Sequence, residues 1–174
     1  MSVDKTAAAR EFIAQIPHCN ALGIEIIAIG DGVAQLRLPY DPRFVGDPET
    51  AVLHGGAVSA LMDTCSGAAT MAHPMGPDGT ATISLRIDYL RAATPGQAIT
   101  ARAECHHLTR SVAFVRATAH DEDTARPVAT ATGTFTVQAG TEKAGAEQAG
   151  MEKAGAEQAD MPDPVPTMPS GAAS

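Results

Sequence analysis

Between residues 55 and 72 the chain carries one long run rich in Ala, Ser and Met, and after it come only short β-prone segments. That order constrains the fold more than any other feature. The run reads as a helix, broken by Pro74 and the glycines that follow, up to Gly79. Residues 82–91, 97–108, 111–120 and 127–137 read as strands, separated by five, two and six residues. Strands joined by such short turns pair antiparallel, because a parallel crossover needs a dozen or more residues. Residues 82–91 alternate clearly, with Ile83, Leu85, Ile87 and Tyr89 on one face and Thr82, Ser84, Arg86 and Asp88 on the other. The expected class is α+β: an antiparallel sheet covered by one long helix.

The part before residue 55 fits that scheme. Residues 6–16 place Ala9, Phe12, Ile13 and Ile16 on one helical face, and Pro17 stops the helix. Residues 23–29 and 33–39 read as a hairpin around Gly30-Asp31-Gly32, and residues 42–53 as a loop. Composition changes sharply near residue 139. Beyond it a ten-residue unit occurs twice, TEKAGAEQAG at 141–150 and MEKAGAEQAD at 151–160, before a Pro-rich end. Neither copy has an aromatic or an apolar face, so neither buries enough surface to offset its ordering entropy. Two regions are expected: a folded domain over 1–139 and a disordered repeat-containing tail over 140–174.

Aromatic residues are only 3% of the chain and Trp is absent, so the core must be built from Ala, Val, Ile, Leu and Met. A net charge of −8 without a Lys/Arg cluster argues against a nucleic-acid partner. No apolar run is long enough to span a bilayer, and the opening MSVDKTAAAREF carries an acid and lacks the apolar stretch of a signal peptide. Cys19, Cys65 and Cys105 are far apart and odd in number, which fits thiols in a reducing compartment and no zinc knuckle. A cytoplasmic protein without a membrane partner is expected. His106-His107 looks like a metal pair, but adjacent strand residues are expected to face opposite sides, with no third ligand evident.

The chemistry concentrates at Leu53-His54-Gly55-Gly56 and Asp63. Two glycines at a helix start let a backbone or a ligand come close. The first N–H groups there have no internal partner, and the helix dipole adds partial positive charge, which suits a developing oxyanion. Asp63 lies eight residues on, about 12 Å along a helix. One small carbonyl cannot touch both places on one helix. Two antiparallel copies of the helix would bring Gly55 of one to Asp63 of the other and make two equal sites.

The string HGGAVSALMDTCSGAA over residues 54–69 resembles the helix motif of the hotdog-fold acyl-CoA thioesterases. Within them it is most similar to the phenylacetyl-CoA/4-hydroxybenzoyl-CoA type, which has an acid nine residues after the His. IPHCNALGIEI is similar to the family's lead-in to its first strand, and TISLRIDYLR to its strand after the helix. Pro95-Gly96-Gln97 and Arg110-Ser111-Val112-Ala113 occur where its later turns lie. The resemblance spans about residues 10–138.

That resemblance implies a hotdog fold, with the antiparallel sheet wrapped around the central helix, and hydrolysis of an acyl-CoA thioester to free acid and CoA. Gly55 would polarise the carbonyl through its N–H, and Asp63 of a partner subunit would act as nucleophile or general base. His54 would shape the loop, and Thr82 would orient the water. Gly56, Leu53 and Met62 would lie beside the substrate, in an acyl tunnel shared with Val58, Leu61, Met71 and Tyr89. Arg91 and Arg110, by position, would contact CoA phosphates. No cofactor is implied, because CoA is part of the substrate, and the assembly would be a homodimer or homotetramer. The family's amide residue before HGG is missing here, where Asp47, Glu49 or Thr50 could stand in. A non-catalytic acyl-CoA-binding module and an acyl-thioester hydratase are the alternatives.

Overall fold

The computed structural model describes residues 5–138, and the tail expected over 140–174 lies outside the described residues. Helix α1 (Lys5–Gln15) is followed at once by α2 (Pro17–Leu22). Pro17 ends α1 but also opens α2, where its missing N–H is one of the unpaired donors in any case. Sequence reasoning missed this six-residue helix, and a Pro at its first position was the available signal.

Six strands form one sheet: β1 (Glu25–Gly30), β2 (Val33–Leu38), β5 (Thr82–Tyr89), β6 (Ile99–Leu108), β7 (Val112–His120) and β8 (Ala129–Thr136). Their spatial order is β1-β2-β6-β7-β8-β5, every neighbouring pair antiparallel. The β1–β2 hairpin turns on Asp31 and Gly32, with φ of 51° and 76°. Two positive φ values make a type I′ turn, whose twist matches that of the strands it joins. The segment 42–53, expected as a loop, holds a 3-10 turn (Pro42–Phe44) and a small hairpin of β3 (Val45–Asp47) and β4 (Val52–Leu53). Strands of two and three residues carry too little alternation to stand out from sequence.

The long helix α3 (Gly55–Met71) lies on the inner face of this sheet. It buries Val58, Leu61, Met62, Cys65, Ala68 and Ala69. The sheet answers with alanines: Ala34 on β2, Ala101 and Ala103 on β6, Ala113, Ala117 and Ala119 on β7, and Ala129 and Ala131 on β8. Small side chains let helix and sheet approach closely, so a core almost without aromatic rings still packs densely. Cys65 sits deepest. Burial pushes its thiol up to about 12, and its sulfur contacts the carbonyls of Ala34 and Ala101. A thiol held protonated in this way is an inert core residue.

One expectation about β6 fails for an instructive reason. A bulge between Cys105 and His107 inserts His106 as an extra residue, so that His107 pairs with Phe114. Alternation is broken there, and both His106 and His107 are exposed instead of facing opposite sides.

Among the described residues the sheet ends on β5, which has a partner only on its β8 side. Ile83, Tyr89 and the adjacent Leu90 are 54%, 48% and 55% exposed, so this edge is markedly apolar. No helix among the described residues is long and apolar enough to cross a membrane.

Candidate active site

The N-terminus of α3 is built to leave one donor unused. His54 is its N-cap, and its Nδ1 accepts the N–H of Gly56 at 2.9 Å. The His54 carbonyl accepts the N–H of Ala57 at 3.0 Å. Of the first three helical N–H groups, only that of Gly55 has no partner among the described residues. Gly55 lines a cavity of about 290 Å³ with Leu53, Val58, Tyr89 and Arg91. A side chain on Gly55 would crowd Tyr89. A Cβ there would meet the Tyr89 ring and hydroxyl at 3.3 Å, and one on Gly56 would meet His54 Nδ1 at 2.8 Å.

Asp63 projects from the middle of α3 and is half-buried. The hydroxyl of Thr82, the first residue of β5, donates to Asp63 Oδ1 at 2.8 Å. This orients the carboxylate and leaves Oδ2 without a protein donor among the described residues. Asp63 and Thr82 open into a second cavity, about 220 Å³, walled by Phe12, Ile13 and Ile16 from the N-terminal segment and by Gly67, Ala68 and Phe135. The Gly55 and Asp63 cavities share no lining residue. Gly56 faces a third, beside His54, Arg43 and His18.

Several expected contacts take other roles. Met62 and Leu61 are fully buried and Met71 is 4% exposed, so they pack the core and line none of these cavities. Their place on α3 was legible; which face points to the sheet was not. Leu53, Val58 and Tyr89 line the Gly55 cavity. Arg91 also borders it, but its guanidinium is fully engaged. It binds Asp121 Oδ2 and Oδ1 at 2.7 and 2.6 Å, the Ala92 carbonyl at 3.0 Å and the Arg126 carbonyl at 3.1 and 2.7 Å. All five N–H donors are used, so none is left for a phosphate. This pairing, with help from the Thr94 N–H and hydroxyl, holds the Asp121 carboxyl well below the usual carboxylate range. Arg110 is exposed in the β6–β7 turn, next to Ser111, whose carbonyl accepts the Val137 N–H. That places it at the end of the sheet where β5 begins. Of the stand-ins for the missing amide, Asp47 spends its carboxylate on the Glu49 N–H and the Thr50 hydroxyl in its own turn. Those same bonds hold its carboxyl below the ordinary range.

Two features of the site escaped the sequence reading. One is the wall that the first helical segments give the Asp63 cavity. The other is the bond from Tyr89, itself met by Ser59, to the Gly55 carbonyl. Tyr89 lies 34 residues from Gly55, so no local pattern could announce either contact.

Comparison with known proteins agrees with this fold. The family model described as the thioesterase superfamily matches residues 50–128, which include His54, Gly55, Asp63, Thr82 and Tyr89. A protein of Salmonella typhimurium named medium/long-chain acyl-CoA thioesterase YigI is 30% identical over 139 residues, covering 72% of this chain and 88% of that protein. The protein of the same name from Escherichia coli K12 is 29% identical over the same coverage. Among solved structures, one from Pseudomonas aeruginosa is 36% identical with a TM-score of 0.68, covering 76% of this chain and 98% of that one. The PaaI protein from the phenylacetic acid degradation operon of E. coli has a TM-score of 0.70 at 23% identity, covering 80% and 97%, and shows the common fold.

Proposed function

Because the chain belongs to the thioesterase superfamily and is an acyl-CoA thioesterase, we propose that its active site is shared between two subunits, Gly55 from one and Asp63 from the other. The observation that carries this is the separation of the two groups. The free N–H of Gly55 and the Thr82-oriented carboxylate of Asp63 face separate cavities on one chain, about 12 Å apart along the helix. A symmetric dimer with the α3 helices antiparallel brings each donor to the other chain's acid. The apolar edge of β5 supplies the surface for such an assembly, as a dimer or as the repeating unit of a tetramer.

In that site the thioester oxygen accepts the Gly55 N–H, which stabilises the oxyanion as it forms. Asp63 acts on the opposite side. As general base it takes a proton from water while the water oxygen bonds to the carbonyl carbon; as nucleophile its own oxygen forms that bond, and water then hydrolyses the mixed anhydride left on Asp63, releasing the free acid and restoring the carboxylate. Collapse of the tetrahedral intermediate breaks the C–S bond, and the departing thiolate of CoA takes up a proton. Neither route calls on a metal or redox cofactor. The apolar cavity beside Asp63 suits an acyl chain of medium length, in keeping with the name of the YigI relatives. Arg110 is the candidate for the CoA phosphates. Three free thiols suit a reducing cytoplasm. Residues 5–138 carry the catalytic domain in this reading.

Subunit complementation tests the shared site. Asp63→Asn and Gly55→Pro are each made alone, then mixed and allowed to exchange subunits. Proline removes the N–H at the first helical position, a place that accepts it, and His54 already has the extended conformation that a following proline needs. Each parent should be nearly inactive. The mixture should regain about a quarter of wild-type turnover, since half the dimers are mixed and each holds one intact site. A mixture as inactive as its parents, with exchange verified, would place both groups in one chain's site.

A further inference from the structure

We propose that Tyr89, backed by Ser59, is a positioning residue for the hydrolytic reaction, holding the Gly55–Gly56 peptide so that the Gly55 N–H is aimed at the thioester oxygen. The inference rests on the reading of Gly55 as the oxyanion donor. A glycine pair is a poor place for a precise donor, because glycine restrains its backbone least. A useful site needs its groups held within about 0.5 Å and 10–20°. The structure resolves this tension from both sides of one peptide. Tyr89 bonds the Gly55 carbonyl at 2.5 Å, and the N–H of the same peptide, on Gly56, donates to His54 Nδ1 at 2.9 Å. The Tyr89 ring also lies 3.3 Å from where a Gly55 Cβ would be, so the Cα is braced as well.

Proton bookkeeping fixes the direction of the relay. A carbonyl oxygen can only accept, so Tyr89 gives its single proton to Gly55. The Ser59 hydroxyl, 2.7 Å from the Tyr89 oxygen, is then the donor to Tyr89. Ser59 therefore acts through Tyr89 and has no separate hold on Gly55.

The placement on β5 adds a consequence. This strand begins with Thr82, which orients Asp63, and ends with Tyr89, which holds Gly55. Seven residues of strand span about 23 Å, so one strand sets two half-sites that lie far apart. In a shared site, the donor is braced by one chain's β5 and the acid by the other's.

The test is Tyr89→Phe, which keeps the ring and removes only the hydroxyl. We expect kcat to fall about ten-fold, with KM, thermal midpoint and oligomeric state unchanged. Ser59→Ala should cost two- to three-fold, about half the free energy of the Tyr89 bond, and the double variant should be no worse than Tyr89→Phe alone. With a non-hydrolysable ketone analogue of an acyl-CoA bound, the carbonyl stretch should be less red-shifted in Tyr89→Phe than in wild type. An unchanged kcat and carbonyl frequency would overturn the proposal, as would a loss confined to KM or to thermal midpoint. Should wild type hydrolyse no acyl-CoA, the reading of the reaction fails instead. Amide exchange at Gly55 and Gly56 still decides the brace: faster exchange in Tyr89→Phe supports it, and equal rates reject it.

Discussion

The two candidate site groups on α3 are held in opposite ways. At its start, the Gly55–Gly56 peptide, next to the Gly55 N–H, is held by three side chains: His54, Tyr89 and, through Tyr89, Ser59. Two turns later, a carboxylate is fixed by a single hydroxyl from Thr82. The reason lies in what each group can do by itself. A backbone donor has no rotamer and can be re-aimed only by moving the main chain, so the main chain must be clamped. A carboxylate has two equivalent oxygens on a rotatable stem, so one hydrogen bond settles its orientation and leaves the other oxygen for chemistry. Asp121 is the contrasting case: its buried carboxylate accepts from Arg91, the Thr94 N–H and hydroxyl and the Asp123 N–H, with nothing left for a substrate.

The sharpest way to break this contrast is at the acid. Asp63→Asn keeps the shape and the bond from Thr82 but removes the base, and should lower kcat by about 10³-fold, within the range for positioned proton transfer. Thiol release from a panel of acyl-CoAs, with dimer mass and thermal midpoint as controls, reads this directly; near-normal turnover would remove Asp63 from the chemistry.

Asp121→Ala should do the reverse. It leaves the chemistry alone and destabilises the fold by about 3 kcal/mol, because it strands a partly buried guanidinium; chemical denaturation measures the loss. The same bond has a pH signature. The folded carboxyl titrates below its unfolded value of about 3.9. Its contribution is therefore fully present above that pH and fades as pH falls below about 4. Wild-type thermal midpoint should drop through that window, and Asp121→Asn should flatten the drop.

At the donor, Gly55→Ala keeps the N–H but crowds Tyr89 at 3.3 Å. It should cost about ten-fold in kcat, and Gly55→Pro about 10² more. The difference between the two isolates the N–H from the clamp, and equal losses would mean that packing alone matters there.

Smaller still is a shift in preference. A Cβ on Gly67 has ordinary contacts, 3.8 Å from Thr80 and 3.9 Å from Phe135, and projects into the Asp63 cavity. Gly67→Val should lower kcat/KM for medium-chain acyl-CoAs several-fold, the worth of one or two methylenes in an apolar pocket, and leave acetyl-CoA unchanged. A uniform loss across chain lengths would count against this cavity as the acyl pocket.

Much of this molecule could be read before its structure was known. The α3 helix, its glycine start and the acid on it stand in one contiguous stretch, where spacing translates directly into geometry. The strands of the sheet declared themselves by alternation, and the Asp31-Gly32 turn by its residue types. Alternation misled at His106-His107, because a bulge depends on the neighbouring strand and leaves no mark on its own sequence. It also could not say that Met62 packs inward while Asp63, beside it, reaches a cavity.

What the sequence by itself determined was the local matter: which segments are helix or strand, that an antiparallel sheet covers one long helix, and which stretch holds the candidate site residues. What only the tertiary structure decided was partnership. It gave Thr82 to Asp63, Tyr89 to Gly55, Asp121 to Arg91 and the N-terminal segment to the wall of a cavity. Periodicity and caps act within a few residues, whereas these bonds join groups 19 to 34 residues apart that meet only once the sheet has closed around the helix.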